Sequence, residues 1–249
     1  MPIIHCHFLA KNEGAILPYF FRHYNRYVCK YFAHYNIHST DNTLEICQNN
    51  PVPVQIIEDA NIKLDERFLV LMKNTTWKQY SNEQNCDWVI LVDADEFLYD
   101  DDLHEKIMGY DRDGITFPSC KGYQMYPKDN EGFPTEEKQI TELIKTGIEY
   151  GPYDKHVLLR SNINPNYSFG CHLANAQGPI VKGTATHDLK LLHYRIFDEN
   201  YIPERLAVND TLCDFNKAAG LGVYNSIPGN GFNPAVEYEL IKRTAKEVI

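Results

Sequence analysis

The residues best placed to do chemistry are three carboxylates, Asp93, Asp95 and Glu96, which follow directly on the apolar run Trp88 to Val92. An unbroken apolar run rich in β-branched residues is the pattern of a strand buried on both faces, as in the middle of a parallel sheet. Carboxylates are costly to remove from water without compensation, so such a strand must carry its acids at the carboxyl end, hydrated, paired or on a metal. Open α/β sheets hold their ligands at that end. Side chains alternate along an extended chain, which sends Asp93 and Asp95 to one side while Ala94 leaves room between them. Two hard oxygen donors on one side suit Mg or Mn, and such an ion can hold a phosphate-bearing ligand. The competing role is a solvated turn or helix cap. That role falls to Asp100, Asp101 and Asp102 just beyond, with Asp102 capping a helix from Leu103.

The elements that must position these acids come before them. Ile3 to Leu9 reads as a first strand, left by the turn Lys11-Asn12-Glu13-Gly14. Ile16, Leu17, Phe20, Phe21 and Tyr24 then take helical spacing, with Pro18 in the first turn, where a missing N–H is tolerated. Val28 to Ile37 is a strand-like aromatic run, Ser39 to Asn42 a turn, and Leu44, Ile46 and Cys47 lie on a second helix. Strand, helix, strand, helix in this short span opens a nucleotide-binding α/β fold. Neither a Gly-x-Gly-x-x-Gly nor a Walker loop stands there, which removes the main support for dinucleotide or P-loop binding. Val52 to Ile57 is a short strand, marked as an edge by Pro51 and Pro53, and Asp65 to Tyr80 a helix whose polar end carries Asn74, Trp77 and Lys78.

Lys11-Asn12-Glu13, the turn Ser39-Thr40-Asp41-Asn42-Thr43 before Glu45-Ile46, and Asp87-Trp88-Val89 leading to Asp93-Ala94-Asp95-Glu96-Phe97 occur in that order and spacing. As a set they resemble the family 2-like glycosyltransferases, in particular the bacterial branch with an Asp-Trp-apolar-Asp-Ala-Asp-Glu-Phe motif. The resemblance implies a GT-A fold: an α/β chain with one Rossmann-like nucleotide-binding half, a mixed central sheet, and a smaller acceptor-binding half. In this chain the halves would be residues 1–100 and 101–249 of a single domain. It further implies an Asp-x-Asp motif holding a divalent metal, Mn or Mg, on the diphosphate of a nucleotide-sugar donor. Donor-side candidates are Lys11, Asn12, Glu13, Asn36, Asp41, Lys78, Asp93 and Lys155. Asn36 departs from the family pattern, which has an acid there against the nucleotide base.

In the second half, Ile115-Thr116-Phe117 reads as a strand, 120–134 as an ordered loop over the pocket with Lys121 and Tyr123 as acceptor-side candidates, and Glu136 to Ile148 as a solvated helix. Lys155 to Arg160 alternates like a strand. Asn200 to Ala219 suggests a helix, Gly220 to Gly231 a loop, and Pro234 to Ile249 a closing helix. A Gly-x-His segment and a later apolar-His-Tyr segment recur in the family in this order, matching His172 and His193 but not His187. His193, arriving at the end of the apolar run Leu189 to Leu192, is the preferred third metal ligand beside Asp93 and Asp95, and His172 a pocket residue. No residue matches the family's usual catalytic base. Asp154 and Asp188 are the nearby acids that would take the acceptor proton.

Two other readings compete. A haloacid-dehalogenase-like phosphatase also sets Asp-x-Asp at a strand end, but on its first strand and with Thr or Val where this chain has Phe97. A nucleotide- or carbohydrate-binding protein that had lost turnover would keep the fold.

Composition limits the partners. A net charge of -10 over 249 residues argues against general nucleic-acid binding, which needs basic surface to displace counterions. The seven cysteines are scattered without Cys-x-x-Cys spacing and read as buried thiols rather than a zinc site or disulfide framework. Seventeen tyrosines supply stacking surface for sugars or bases, or ordinary packing. The amino terminus lacks the basic region of a signal peptide and no segment approaches membrane-span length, so the expectation is a cytoplasmic protein. Its expected partners are a nucleotide-sugar donor and a saccharide or lipid-linked saccharide acceptor, with homo-oligomerisation open. The resemblance implies bacterial surface polysaccharide or lipopolysaccharide synthesis.

Overall fold

The structure is a computed structural model, and it describes residues 2–63, 65–127, 138–195, 212–220 and 243–249. The chain begins with β1 (Ile4–Ala10), α1 (Leu17–Tyr24), β2 (Lys30–Asn36), α2 (Thr43–Asn49), β3 (Val54–Asp59), α3 (Glu66–Asn74) and β4 (Trp88–Asp93). β3, β2, β1 and β4 lie side by side in parallel, and β8 (Leu158–Arg160) adds to β4 antiparallel. β1 is therefore central and buried on both faces, with Ile4, Cys6, Phe8 and Ala10 packed against the aromatic side of α1. Pro18 sits in the first turn of α1, as its lack of an N–H requires.

β5 (Glu96–Tyr99) follows β4 after a two-residue turn and leaves for a second sheet. Then come α4 (Leu103–Asp113), β6 (Cys120–Met125), α5 (Ile140–Leu143), β7 (Thr146–Glu149), β9 (Leu189–His193), α6 (Asp214–Ala218) and β10 (Lys246–Glu247). Among the described residues the second sheet runs β10-β7-β6-β9-β5, with β6 and β9 parallel and the other neighbours antiparallel. The result is the expected α/β layout, a parallel Rossmann-like half with a mixed sheet beside a second five-stranded sheet. Asp102 caps α4 as anticipated, its Oδ1 accepting from Glu105 N–H at 3.0 Å.

Several expected elements differ. Residues 115–117 form no strand: the N–H groups of Thr116 and Phe117 both donate to the Lys182 carbonyl, so they hold a loop rather than extend a ladder. Cys120 to Met125, expected as loop, is a central strand of the second sheet, because pairing with β9 and β7 overrides its Gly- and Tyr-rich composition. The expected helix 136–148 is one turn, α5, begun by a capping box between Gln139 and Glu142, and Thr146 to Glu149 is drawn into the sheet. Lys246 and Glu247 belong to a strand, not to a closing helix. Of the expected 200–219 helix, α6 is described, while most of that segment and of 220–242 lies outside the described residues. All seven cysteines are free thiols: five are buried, Cys213 is half-buried and Cys29 is exposed. No described helix is long and apolar enough to cross a membrane.

Candidate functional site

The acids at the end of β4 do not lie along one extended strand. Asp93 closes β4, Ala94 and Asp95 turn, and Glu96 opens β5, so the expected alternation is replaced by a corner that gives each acid its own partner. Glu96 is fully buried. Its Oε2 accepts from the Asp93 N–H at 3.0 Å and its Oε1 lies 2.5 Å from Lys155 Nζ. Lys155 is itself buried. Burial pulls its pKa down, but the Glu96 and Asp93 carboxylates together more than reverse that and hold it above the usual lysine value. Asp93 turns to a residue that sequence reasoning passed over, Lys73 in the last turn of α3, with Nζ 2.8 Å from Oδ1. Burial would raise the Asp93 carboxyl, yet Lys73 and Lys155 together hold it well below the ordinary carboxylate range.

Asp95 faces His193. Its Oδ1 lies 3.5 Å from His193 Nε2, and both side chains are more than nine-tenths buried. The pairing of β5 with β9 makes this contact, since Glu96 and His193 are register partners. The other ring nitrogen, Nδ1, lies 3.1 Å from Gln124 Oε1, while the Gln124 amide nitrogen donates to the carbonyls of His193 and Met125. That arrangement makes Nδ1 the protonated nitrogen and leaves a lone pair on Nε2 toward the carboxylate. Burial lowers the His193 pKa despite Asp95 and Glu96, so the ring is neutral at neutral pH. Tyr153 packs against it at a tilt, ring centroids 4.2 Å apart and planes 42° apart. That approach depends on Gly122 in β6, where an added Cβ would lie 2.2 Å from the Tyr153 carbonyl carbon.

An acceptor lone pair facing a carboxylate at 3.5 Å is a donor set that fits a divalent ion. Among the described residues, no group of three or more His, Cys, Asp or Glu side chains is gathered to hold a metal, so Asp93, Asp95 and His193 do not converge as a triad.

The remaining candidates divide between the two strand-end loops and the second sheet. Asn12 Oδ1 accepts from Thr40 N–H at 2.7 Å, Asp41 accepts from the N–H groups of Gly14 and Thr43, and the Glu13 N–H donates to Thr43 Oγ1. These bonds zip the loop after β1 to the loop after β2. A Cβ at Gly14 would lie 2.0 Å from Asn42 Oδ1 and 2.8 Å from Asp41 Oδ2, so a larger residue there would push both side chains of the seam aside. Lys11 Nζ donates to the Ile62 carbonyl at 3.0 Å. The Asn36 amide donates to Asp59 Oδ2 at 3.1 Å and accepts from His38 N–H at 3.0 Å, so an acid at 36 would face another carboxylate across the strands. Lys78 stands over the Trp77 ring. His172 lies near enough to Lys155 that the cation, after burial, lowers its pKa.

Lys121 pairs with Asp154 at 3.3 Å and Glu149 at 3.5 Å, beside Tyr123 on β6. Asp154 adjoins Tyr153, and its Oδ1 accepts from Gly122 N–H at 2.7 Å. His187 Nε2 lies 3.7 Å from Asp154 Oδ2, while the neighbouring Asp188 is held away from His193. It precedes β9 and His193 ends it, and five residues of strand span about 17 Å. It accepts from Tyr110 Oη at 2.9 Å and lies 3.4 Å from Lys106.

Lys73, Gln124 and Tyr153 are thus the residues that sequence reasoning left out of the site. Glu96 was visible in the acid run. A faint signal for Lys73 was its place on the same α3 face as Glu66, two turns earlier, whose buried carboxylate accepts from Gly170 N–H at 3.1 Å.

No protein-family model matches the chain, and no curated protein sequence does. Among solved structures, it is similar to residues 1–349 of TarS from S. aureus at 12% identity and a TM-score of 0.43, over 96% of this chain and 78% of that one. Mannosyl-3-phosphoglycerate synthase from Rubrobacter xylanophilus gives 10% identity and a TM-score of 0.40, over 94% of this chain and 80% of that one. Glucosyl-3-phosphoglycerate synthase from Mycobacterium tuberculosis, solved with Mn2+, uridine diphosphate and phosphoglyceric acid, gives 15% identity and a TM-score of 0.33. That match takes in 49% of this chain and less than half, 43%, of the synthase. Similarity at this level assigns no ligand to this chain.

Proposed function

We propose that this protein transfers a sugar from a nucleotide diphosphate sugar to an acceptor hydroxyl, with Mn or Mg held by Asp95 and His193. The observation that carries the reading is the His193 Nε2 lone pair turned to Asp95 Oδ1 at 3.5 Å, with Nδ1 committed to Gln124. A divalent ion between the two would take that lone pair and a carboxylate oxygen as ligands. The ion would offset negative charge building on the departing diphosphate.

The chain's own residues do the rest. Lys155 neutralises Glu96, and Glu96 holds the Asp93 backbone, so the corner carrying Asp95 stays rigid. Tyr153 shields the His193 face from water. Asp93, held at one oxygen by Lys73 and still 37% exposed, faces the donor side. Asp154, next to Tyr153, is better placed than Asp188 to receive the acceptor proton. Lys121 and Tyr123 then belong to the acceptor side. Assembly of a bacterial surface polysaccharide is the setting that the motif resemblance favours.

Calorimetric titration of UDP, GDP, ADP and CDP, with and without Mn, tests this on the wild type and on Asp95→Ala. Nucleotide binding that needs both Mn and Asp95 is the expected result, and it names the base. If no diphosphate binds under any metal, the reading is wrong.

A further inference from the structure

We propose that Lys73 decides which aspartate meets the metal. By holding Asp93 in an ion pair, it keeps that carboxylate out of the coordination shell and leaves the ion to Asp95 and His193. The proposal rests on the sugar-transfer reading above. Lys73 is a deeply buried cation, its side chain 5% exposed, whereas its partner Asp93 keeps 37% of its side chain open. An ammonium buried without a partner sheds its proton. Asp93 supplies that partner, its Oδ1 2.8 Å from Lys73 Nζ.

Its reach is set by the turn that carries it. Trp77 Nε1–H donates to the Lys73 carbonyl at 3.1 Å, and neighbouring Asn74 exchanges two hydrogen bonds with the Tyr167 backbone, at 3.0 and 2.7 Å. The ammonium is therefore presented to Asp93 from a pinned helix end rather than from a free surface chain. A fixed positive charge there has opposite effects on two ligands: it repels a dication that approaches Asp93 and attracts a diphosphate. A residue that merely props the fold would weaken both when removed.

Lys73 is thus a positioning residue. The test measures free Mn2+ by electron paramagnetic resonance, and UDP, GDP, ADP and CDP binding by calorimetry, on wild type, Lys73→Met, Asp93→Asn and Asp95→Asn. Lys73→Met is expected to bind Mn at least about fivefold more tightly, because Asp93 is released to the ion, and to bind the diphosphate at least about fivefold more weakly. Asp93→Asn should keep Mn affinity within about threefold of wild type, while Asp95→Asn loses more than about tenfold. Weaker or unchanged Mn binding in Lys73→Met overturns the proposal, as does an Asp93→Asn loss equal to that of Asp95→Asn. Melting curves establish that each variant is folded. If Lys73→Met is not, Lys73→Gln, which keeps a polar side chain at the helix end without the charge, takes its place with the same expected signs. Wild type that takes up neither Mn nor any diphosphate removes the sugar-transfer reading and this role together. Wild-type binding with the wrong sign in the variants removes this role alone.

Discussion

At the scale of single residues, the Lys155–Glu96 pair shows how much a charge depends on its partner. Both members are buried, and Glu96 spends its second oxygen on the Asp93 backbone. Taking away one partner leaves the other charged in a low-dielectric interior, whereas replacing both with apolar groups of similar size removes the desolvation cost as well. Lys155→Met is therefore expected to lower unfolding stability by about 3–5 kcal/mol, and Lys155→Met with Glu96→Leu to recover most of that. Urea denaturation checks it, and a single-variant loss below about 1 kcal/mol would show that Glu96 finds another partner. Sequence reasoning saw Glu96 as one acid of three and Lys155 as a weak phosphate contact. Their pairing was invisible because 59 residues separate them and only the approach of β8 to β4 brings them together.

At the scale of elements, β1 and β2 carry a buried hydrogen-bonded chain on the face away from α1. Ser81 Oγ lies 2.8 Å from both His5 Nδ1 and His7 Nε2, and His7 Nδ1 lies 3.2 Å from His34 Nε2. His7 also stacks on Phe32, ring centroids 4.4 Å apart, and His34 Nδ1 is buried with no hydrogen-bond partner. Burial, then Lys30, lowers the His5 pKa to about 4, and burial lowers that of His34 to about 4 against the pull of Asp59. The folded state thus keeps these rings neutral where the unfolded chain, titrating near pH 6.5, takes up protons. Their contribution is full above about pH 6.5 and is lost as pH falls toward about 4, by roughly 3 kcal/mol for each of His5 and His34. Urea midpoints measured from pH 7 to 4.5 should drop steeply, with a smaller drop in His34→Gln. A flat profile would mean that these rings are charged in the native state. Helix and strand identities in this half were readable because their apolar periods are regular. β6 and β7 were not, because their strand character comes from their neighbours rather than from their composition.

At the scale of the molecule, one hydrophobic cluster joins the two sheets. It runs from Ile4, Phe8 and Trp88 through Phe97 to Leu189, Leu191 and Leu192. The corner at Ala94 and Asp95 is where the chain passes from the first sheet to the second, so the site sits on the seam. Shared packing of this kind couples the two halves, and unfolding should be a single transition. Trp77 and Trp88 report the first sheet and far-UV circular dichroism reports both. Their urea curves are expected to coincide, and two separated midpoints would show that the halves fold independently.

The sequence by itself determined the parallel half and the place of the acids at a buried strand's carboxyl end, because apolar period and residue type are local properties. Tertiary structure decided the partners. Strand pairing across long separations set His193 against Asp95, burial turned Lys73 and Lys155 into counterions, and the corner after Asp93 sent the two aspartates to different partners. Asp188 and Asp154, alike as acids in the sequence, have different partners in the fold, Tyr110 and Lys106 for the first and Lys121 and the Gly122 N–H for the second. A charge's role depends on what stands within a few ångströms of it, and that distance is fixed only when the chain has folded.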